Sequence, residues 1–359
     1  MAVARVGGGR AGRRWAWRSV GLLLTFLVVF YLGGPLMARA EGAGRLLSRL
    51  DPATLLLAVL LEAGAIASYS CLTLTVLPGF RPSYWTVLRI DLSAFGLSHT
   101  VPAGDAAGAA LGFRLLNLAG VPAPQVLSAA AIQTTAQVGV LAVLFSGSVL
   151  ITLPRTQHSQ FYVGAGLVVA ILLGAATVLL IWLSRNIDAA RIWARHVVGR
   201  LPPFSRGFVE ATVRSLVTGV EALRSDHRLL LRTTAWAGAN WLLDAASLWV
   251  FVAAFGHRLN ADELLVAYGL ANLLGGLPIT PGGLGVIEGF LIPALVGLGT
   301  PAATATLGVL AWRAASFWLP IPVGGLSYLS LRLGPRPLPT EHEPEAEPGS
   351  GPSPDRGPA

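Results

Sequence analysis

The chain has 359 residues, of which 53% are hydrophobic and 12% are charged, with a formal net charge of +8 at pH 7. Soluble domains carry about 25% charged residues, so this composition predicts a polytopic membrane protein and excludes an ordinary soluble domain. The basic residues are all Arg, and they cluster in the amino terminus and within 185–232. Such clusters are typical of cytoplasmic membrane loops, so we expect no nucleic-acid partner.

The first apolar segment covers about 18–38, and five Arg residues, the last of them Arg18 at its start, stand at this end of the chain. We predict a cytoplasmic, Arg-rich amino terminus at 1–17 and an uncleaved first transmembrane helix after it. The alternative is a secretory signal that is cleaved after Ala40, because Ala38-Arg39-Ala40 has the small residues of a cleavage site.

The pattern of apolar runs predicts an all-α polytopic membrane protein. Full-length transmembrane helices are expected at about 18–38, 53–76, 123–150, 161–184, 232–255 and 302–330. A span needs about 20 apolar residues. Four further apolar runs are too short to cross alone, at Tyr84–Gly96, Ala106–Ala119, Leu264–Leu277 and Val286–Leu298. Pro-Gly breaks at 101–104 and 280–283 join these runs in pairs, which predicts two broken re-entrant hairpins.

The two hairpins belong to two diverged copies of one unit, displaced by 179 residues. Seven positions are identical between 96–123 and 275–302, and five of them are Gly or Pro, the residues that fix backbone shape. We therefore predict repeat one at about 18–150 and repeat two at about 161–330. Paired broken helices in such repeats point to a transport site near the bilayer midplane.

The distribution of Arg in the loops predicts the orientation. Residues 185–232 hold nine Arg against four acids, and the amino terminus holds five Arg and no acid, so both are expected in the cytoplasm. Counting spans from there makes the two repeats inverted, with both chain termini cytoplasmic. The expected location is the bacterial plasma membrane.

Two regions are expected outside the transmembrane bundle. Residues 185–231 carry an apolar stripe at helical spacing with charge pairs opposite, which predicts a helix in the cytoplasmic interface. The alternative is a docking helix for a cytoplasmic partner. Residues 333–359 are rich in Pro, Glu, Gly and Ser, and we expect a disordered tail.

Glu288 and Arg313 are the strongest candidate site residues, because a charge inside a membrane needs a partner or a watery cavity. Glu288 follows the second Pro-Gly break and Arg313 lies near the middle of the last helix, so we expect them to meet. They are either a structural salt bridge or a site in which Arg313 holds an anionic head group and Glu288 tunes it. The two roles are compatible.

Other candidates lie on the same predicted elements. Pro281, Gly282 and Gly283 allow a tight turn and close helix approach, and the half-helix amino terminus after them is suited to a phosphate. Glu62 and Asp244 lie on repeat-equivalent helices, where they are expected to line one cavity from two sides and are candidates for proton coupling. Asp105 is either a helix cap or a site residue. Arg114 is either an interface anchor or a site residue.

The sequence favours no enzyme class. It lacks the second G-x-G-D motif of intramembrane aspartyl proteases and the G-x-S-G motif of serine proteases. Cys71 is the sole cysteine and the six His residues are scattered, so we expect no metal and no cofactor.

The carboxy-terminal half resembles the flippase-like membrane family, also described as the lysylphosphatidylglycerol synthase transmembrane region. The matching residues are Pro281-Gly282-Gly283-Leu284-Gly285-Val286-Ile287-Glu288, Gly299, Pro301, Trp312-Arg313, Phe317-Trp318-Leu319-Pro320 and Gly324. The likeness covers about residues 18–332, and 272–325 form its specific part. The resemblance implies movement of an aminoacylated phospholipid between leaflets, by a stand-alone member without the soluble synthase domain.

The leading hypothesis from the sequence is a protein that moves or binds a phosphate-bearing lipid in the plasma membrane, and aminoacylated lipids are among the candidates. Its expected partners are membrane phospholipids or a lipid-linked substrate. Two alternatives stay open: a membrane scaffold that docks a cytoplasmic enzyme at 185–231, and a small-solute transporter.

Overall fold

A computed structural model describes residues 51–77, 82–101, 104–152, 218–219, 221–276, 280–334 and 338–339. These ranges contain nine α-helices and no strand. The helices are α1 Pro52–Val76, α2 Tyr84–Ser98, α3 Gly104–Leu118, α4 Ala123–Thr152, α5 His227–Ala254, α6 Ala261–Gly275, α7 Val286–Gly297, α8 Ala302–Arg313 and α9 Pro320–Leu333.

Four helices are long and apolar enough to cross a membrane within the described ranges. They are α1, α4, α5 and the continuous helix Ala302–Leu333, and each matches a predicted span. The start of α5 is earlier than predicted, at His227 and not at residue 232, because Asp226 accepts hydrogen bonds from the backbone N–H groups of Arg228 and Leu229 at 2.8 and 3.1 Å. The spans predicted at 18–38 and 161–184 lie outside the described residues.

The four short helices form the two predicted hairpins. Helices α2 and α3 pack against each other, as do α6 and α7. Each pair flanks one Pro-Gly break, since the missing N–H of proline and the freedom of glycine end the regular helix there. The predicted hairpin helices are confirmed to within a few residues at each end.

Helices α1 and α5, which the sequence predicts to be equivalent in two repeats, pack antiparallel along their lengths. The Ser247 hydroxyl donates to the Ala58 carbonyl at 2.9 Å, and the Asn240 amide donates to the Ala65 carbonyl at 2.9 Å. As the residue number rises on α1, that of its neighbour on α5 falls. These hydrogen bonds fix the register of the pair.

Each hairpin packs against the last helix of the other predicted repeat. Gly96 on α2 faces the α9 backbone so closely that a β-carbon there would lie 3.0 Å from the Pro320 carbonyl oxygen. On the other side, α6 crosses α4, where a β-carbon at Gly269 would lie 2.8 Å from Phe145. Helix approach of this kind depends on small residues, as is usual in membrane bundles.

The outer surface is strongly apolar. Large side chains that are at least half exposed include Leu56, Trp85, Leu127, Leu150, Leu231 and Leu326. A water-soluble protein does not normally present so large an apolar surface, whereas lipid tails accommodate it. The fold is therefore that of an integral membrane protein.

The last long helix contains a π-helical turn at Ala314–Trp318. The Leu319 N–H donates to the Ala314 carbonyl at 2.9 Å, five residues back, and Pro320 follows at once. A proline removes the N–H that a regular helix needs, and π-turns of this kind are frequent at functional sites. The turn starts at the residue after Arg313.

The carboxy-terminal end of the predicted interfacial region packs against the bundle. Residues 221–225 are helical, and Leu223 is buried in a cluster with Ile132 and Ala136 of α4. The remaining residues of 185–217 and most of the predicted tail lie outside the described residues.

Candidate functional site

Glu288 and Arg313 form a buried ion pair between α7 and α8. The Arg313 Nε donates to Glu288 Oε1 at 2.5 Å, and both side chains are less than a tenth exposed. Arg313 lies eleven residues after the start of a 32-residue helix, about 17 Å along it at 1.5 Å per residue. That distance is close to the middle of a hydrocarbon core about 30 Å thick.

Glu288 is fully engaged within the protein. While its Oε1 accepts from Arg313, its Oε2 accepts from the backbone N–H of Gly285 at 2.6 Å, so the side chain caps the helix that carries it. This second contact shows why an acid lies three residues into α7. Glu288 therefore fixes both the start of α7 and the orientation of Arg313.

The loop before α7 supplies a second contact to Arg313. Pro281–Gly283 forms one turn of 3-10 helix, in which Gly282 and Gly283 have φ values of 51° and 68°. These left-handed values favour glycine. The turn directs the Gly282 carbonyl towards the guanidinium, and Arg313 Nη2 donates to it at 3.1 Å.

Arg313 retains unused hydrogen-bonding capacity. A guanidinium has five N–H donors, and the hydrogen bonds to Glu288 and Gly282 use two of them. Aromatic rings cover part of the group, since its Cζ lies 4.6 Å from the ring centre of Phe317 and 5.8 Å from that of Trp312. Among the described residues the other three donors have no hydrogen-bond partner, so they are open to a further acceptor such as a phosphate oxygen.

The two hairpin breaks meet beside Arg313. His99, just before the first break, stacks on Phe317 with ring centres 4.4 Å apart, and its Nδ1 donates to the Phe317 carbonyl over 3.0 Å. A β-carbon on Gly282, in the second break, would lie 2.6 Å from the Phe317 ring and 2.7 Å from the His99 ring. One aromatic contact thus joins both breaks to the π-turn.

A carboxyl group on α5 lies on the other side of this cluster. Asp244 Oδ2 accepts from the Tyr268 hydroxyl at 2.6 Å, and its Oδ1 accepts from the Trp312 indole N–H at 2.6 Å. Each oxygen thus has a short hydrogen bond from a buried aromatic side chain. Trp312 precedes Arg313, so Asp244 is tied to the same turn of α8.

Glu62 of α1 completes the cluster. Its carboxyl lies in hydrogen-bonding reach of Asp244 and interacts electrostatically with Arg313. Glu62 is 6% exposed, and its Oε2 is buried without a hydrogen-bond partner. Ser247 is also in reach, but its one hydroxyl proton is donated to Ala58.

The structure thus brings together most of the residues that the sequence singled out. Glu62, Asp244, Glu288, Arg313 and Gly282 belong to one cluster, with Pro281 and Gly283 in its loop.

Two predicted residues lie elsewhere. Asp105 is in the first turn of α3 with an exposed side chain, and Arg114 is exposed on the same helix. The hydrogen bonds of the cluster include neither. The sequence analysis assigned no role to His99 or Tyr268, because it selected polar site residues by the cost of a charge inside the membrane. The sequence marks them only as polar aromatic residues, one at the end of α2 and one within α6.

The chain was compared with known protein families. The family described as "Lysylphosphatidylglycerol synthase TM region" matches residues 18–324. The chain belongs to this family. The match contains every residue of the cluster, and it confirms the resemblance drawn from the Pro-Gly-Gly loop and the Trp-Arg pair.

Individual relatives are more distant. A UPF0104 membrane protein of Methanothermobacter thermautotrophicus is 26% identical over 168 residues, or 45% of this chain and 50% of that protein. The inner membrane protein YbhN of Escherichia coli K12 is 23% identical over 127 residues, or 35% of this chain and 39% of YbhN. The chain thus spans about half the length, or less, of the curated relatives it matches, and all of them are membrane proteins by name.

Proposed function

We propose that this protein moves a lipid with a phosphate-bearing head group between the leaflets of the plasma membrane, and that Arg313 binds the head group. The observation that carries the proposal is a buried guanidinium at the meeting point of two broken hairpins, with three N–H donors that no described residue engages. A charge held at such depth is costly, so it is expected to serve a ligand or a watery cavity.

The surroundings of Arg313 suit an anion. Glu288 balances its charge but leaves donors available, and the amino terminus of α7 lies beside it with its positive dipole end. A phosphate oxygen can accept from a guanidinium in the paired geometry that arginine favours. The acyl chains of such a lipid would stay in the bilayer, against the apolar outer surface.

The packing of equivalent helices supports alternating access. Helices α1 and α5 are antiparallel, and each hairpin packs on the last helix of the other repeat, as expected of two inverted repeats. In such folds the halves rock about a central site that opens to each side in turn. This proposal is one of transport, without bond-making chemistry, metal or cofactor.

The proposal is tested in liposomes. Purified protein is reconstituted with a fluorescent phosphatidylglycerol or an aminoacylated phospholipid, and inter-leaflet movement is followed by chemical quenching of the outer label. Protein-containing liposomes should exchange the label faster than empty ones, and Arg313→Ala should remove most of the gain. Arg332→Ala, at the end of α9, is the matched control and should retain the wild-type rate.

Two outcomes would favour a different function. If no phospholipid class moves faster than in empty liposomes, while the protein captures a cytoplasmic enzyme through 185–231, the scaffold hypothesis is favoured. If a water-soluble anion crosses and lipids do not, the protein is a small-solute transporter.

A further inference from the structure

The cluster around Arg313 contains more acid than base. Glu62, Asp244 and Glu288 supply three carboxyl groups, and Arg313 supplies one guanidinium. Glu288 is the direct partner of Arg313, which leaves the Glu62–Asp244 pair without a cation of its own among the described residues. Two adjacent buried carboxylates repel strongly, and such pairs commonly share one proton.

Helix geometry places the two carboxyl groups at one depth. Glu62 lies ten residues after the start of α1, and Asp244 lies ten residues before the end of α5. At 1.5 Å per residue, each is about 15 Å from its helix end. Because the helices are antiparallel, these ends face the same side, so the pair lies deep inside the bundle.

Hydrogen bonding distinguishes the two members of the pair. Asp244 receives an O–H and an N–H donor, one on each oxygen, as an ionised carboxylate requires. Glu62 has a buried oxygen that accepts nothing, and Ser247 directs its proton to a backbone carbonyl. A protonated Glu62 turns this contact into a hydrogen bond by donating its own O–H to Asp244, whose two oxygens already accept from Tyr268 and Trp312.

We propose that Glu62 is a proton-binding site, and that its proton is bound together with the anionic head group at Arg313. The second half rests on the proposed function. Loss of the Glu62 proton adds one negative charge to the cluster, which weakens the attraction of Arg313 for an anion. By reciprocity, a bound anion must raise the affinity of Glu62 for its proton by the same factor.

In the described part of the chain, charged or titratable groups face Glu62 from several neighbouring helices. Asp244 faces it from α5, and Tyr268 interacts with it from α6. Arg313 of α8 interacts with it as well, and Glu288 of α7 is the partner of Arg313. The acid on α2, Asp91, meets α1 at Thr73 with a hydrogen bond of 3.1 Å. Thr73 is eleven residues from Glu62, about 17 Å along the helix, so Asp91 lies outside the pair.

The first test does not depend on lipid. Infrared spectra of the purified protein at neutral pH should contain the carbonyl band of a buried, protonated carboxylic acid. Glu62→Gln should remove that band, and Glu263→Gln, a matched change at the start of α6, should leave it in place. An unchanged band in Glu62→Gln would overturn the assignment of the proton to Glu62.

The second test measures the linkage with a fluorescent phosphatidylglycerol, whose phosphodiester keeps one charge across the range tested. Binding to wild type should weaken with rising pH, by up to tenfold per pH unit for one linked proton. Glu62→Gln should bind as wild type does at low pH and lose the pH dependence. A flat wild-type profile, or a slope that persists in Glu62→Gln, would refute the linkage.

The two failures are separable. If Arg313→Gln binds the lipid as well as wild type at every pH, the head-group site is wrong, whatever the infrared result. If Arg313→Gln abolishes binding but the wild-type profile is flat, the head-group site stands and the proton linkage is wrong.

Discussion

His99 and Phe317 are 218 residues apart in the chain, yet their rings stack 4.4 Å apart and the His99 Nδ1 donates to the Phe317 carbonyl. This contact joins the end of α2 to the π-turn that follows Arg313. It therefore links the first hairpin to the helix that carries the guanidinium, at the candidate site.

Replacing His99 by Ala should weaken the contact between the end of α2 and the π-turn. The change removes a partly buried hydrogen bond, worth about 1 kcal/mol, together with the ring contact. We expect a lower melting temperature in detergent and weaker protection of α9 from hydrogen exchange. His227→Ala, at the exposed start of α5, is the control and should change neither measurement. Wild-type protection of α9 in His99→Ala would show that the contact does not hold α2 to the π-turn.

Gly282→Ala should damage the loop for two separate reasons. Its φ of 51° is unfavourable for Ala, and the added methyl would contact Phe317 and His99 at 2.6 and 2.7 Å. We expect a fall in melting temperature and in lipid movement. The control is Gly289→Ala on α7, where the added methyl meets open space and helix propensity favours Ala by up to about 1 kcal/mol. Equal effects of both substitutions would contradict a special role for the loop.

The Glu288–Arg313 pair allows stability and function to be separated. Glu288→Gln leaves a buried guanidinium without its counter-charge, and should cost roughly 3 kcal/mol of unfolding free energy. The swap Glu288→Arg with Arg313→Glu should restore part of this stability. Recovery should be incomplete, because an arginine at 288 cannot accept from the Gly285 N–H.

Lipid movement should not return in the swapped protein, because a carboxylate at 313 repels a phosphate. Melting temperature and liposome exchange are measured on the same preparations. Full recovery of exchange in the swap would exclude a direct ligand role for Arg313.

The inverted arrangement of the repeats is tested by single cysteines in a Cys71→Ser background. Ala53 and Ser225 lie at equivalent ends of α1 and α5, and both are exposed. A membrane-impermeant thiol reagent should label Ala53→Cys from outside and Ser225→Cys from the cytoplasm. Asn260→Cys, beyond the other end of α5, should be labelled from outside. Labelling of Ala53→Cys and Ser225→Cys from one side would contradict the inversion.

Much of the fold could be predicted because a membrane allows a chain very few kinds of secondary structure. Long apolar runs gave the four spans, and Pro and Gly gave the hairpin breaks, since each acts locally through the backbone. The Glu288–Arg313 pair could be predicted because a buried charge needs a partner. Each of these predictions rested on residues that are close in the sequence, or on the free-energy cost of a charge inside the membrane.

The remaining features depend on tertiary geometry. Asp105 and Arg114 fell in a hairpin as predicted, but sequence position does not reveal which way a side chain faces, and both are exposed on α3. Tyr268 is buried against Asp244 through a long-range packing of α6 that no local pattern encodes. The π-turn likewise arises from Pro320 together with its neighbours, and a proline alone does not specify it.

The central claim is that Arg313 holds a phosphate-bearing head group, and the most direct measurement is native mass spectrometry of bound lipid. Wild type, Arg313→Gln and the control Arg332→Gln are purified in the same mild detergent and their retained lipids compared. We predict that wild type and Arg332→Gln retain an anionic or aminoacylated phospholipid that Arg313→Gln loses while it stays folded. Equal retention of the same lipid by all three proteins would contradict the claim.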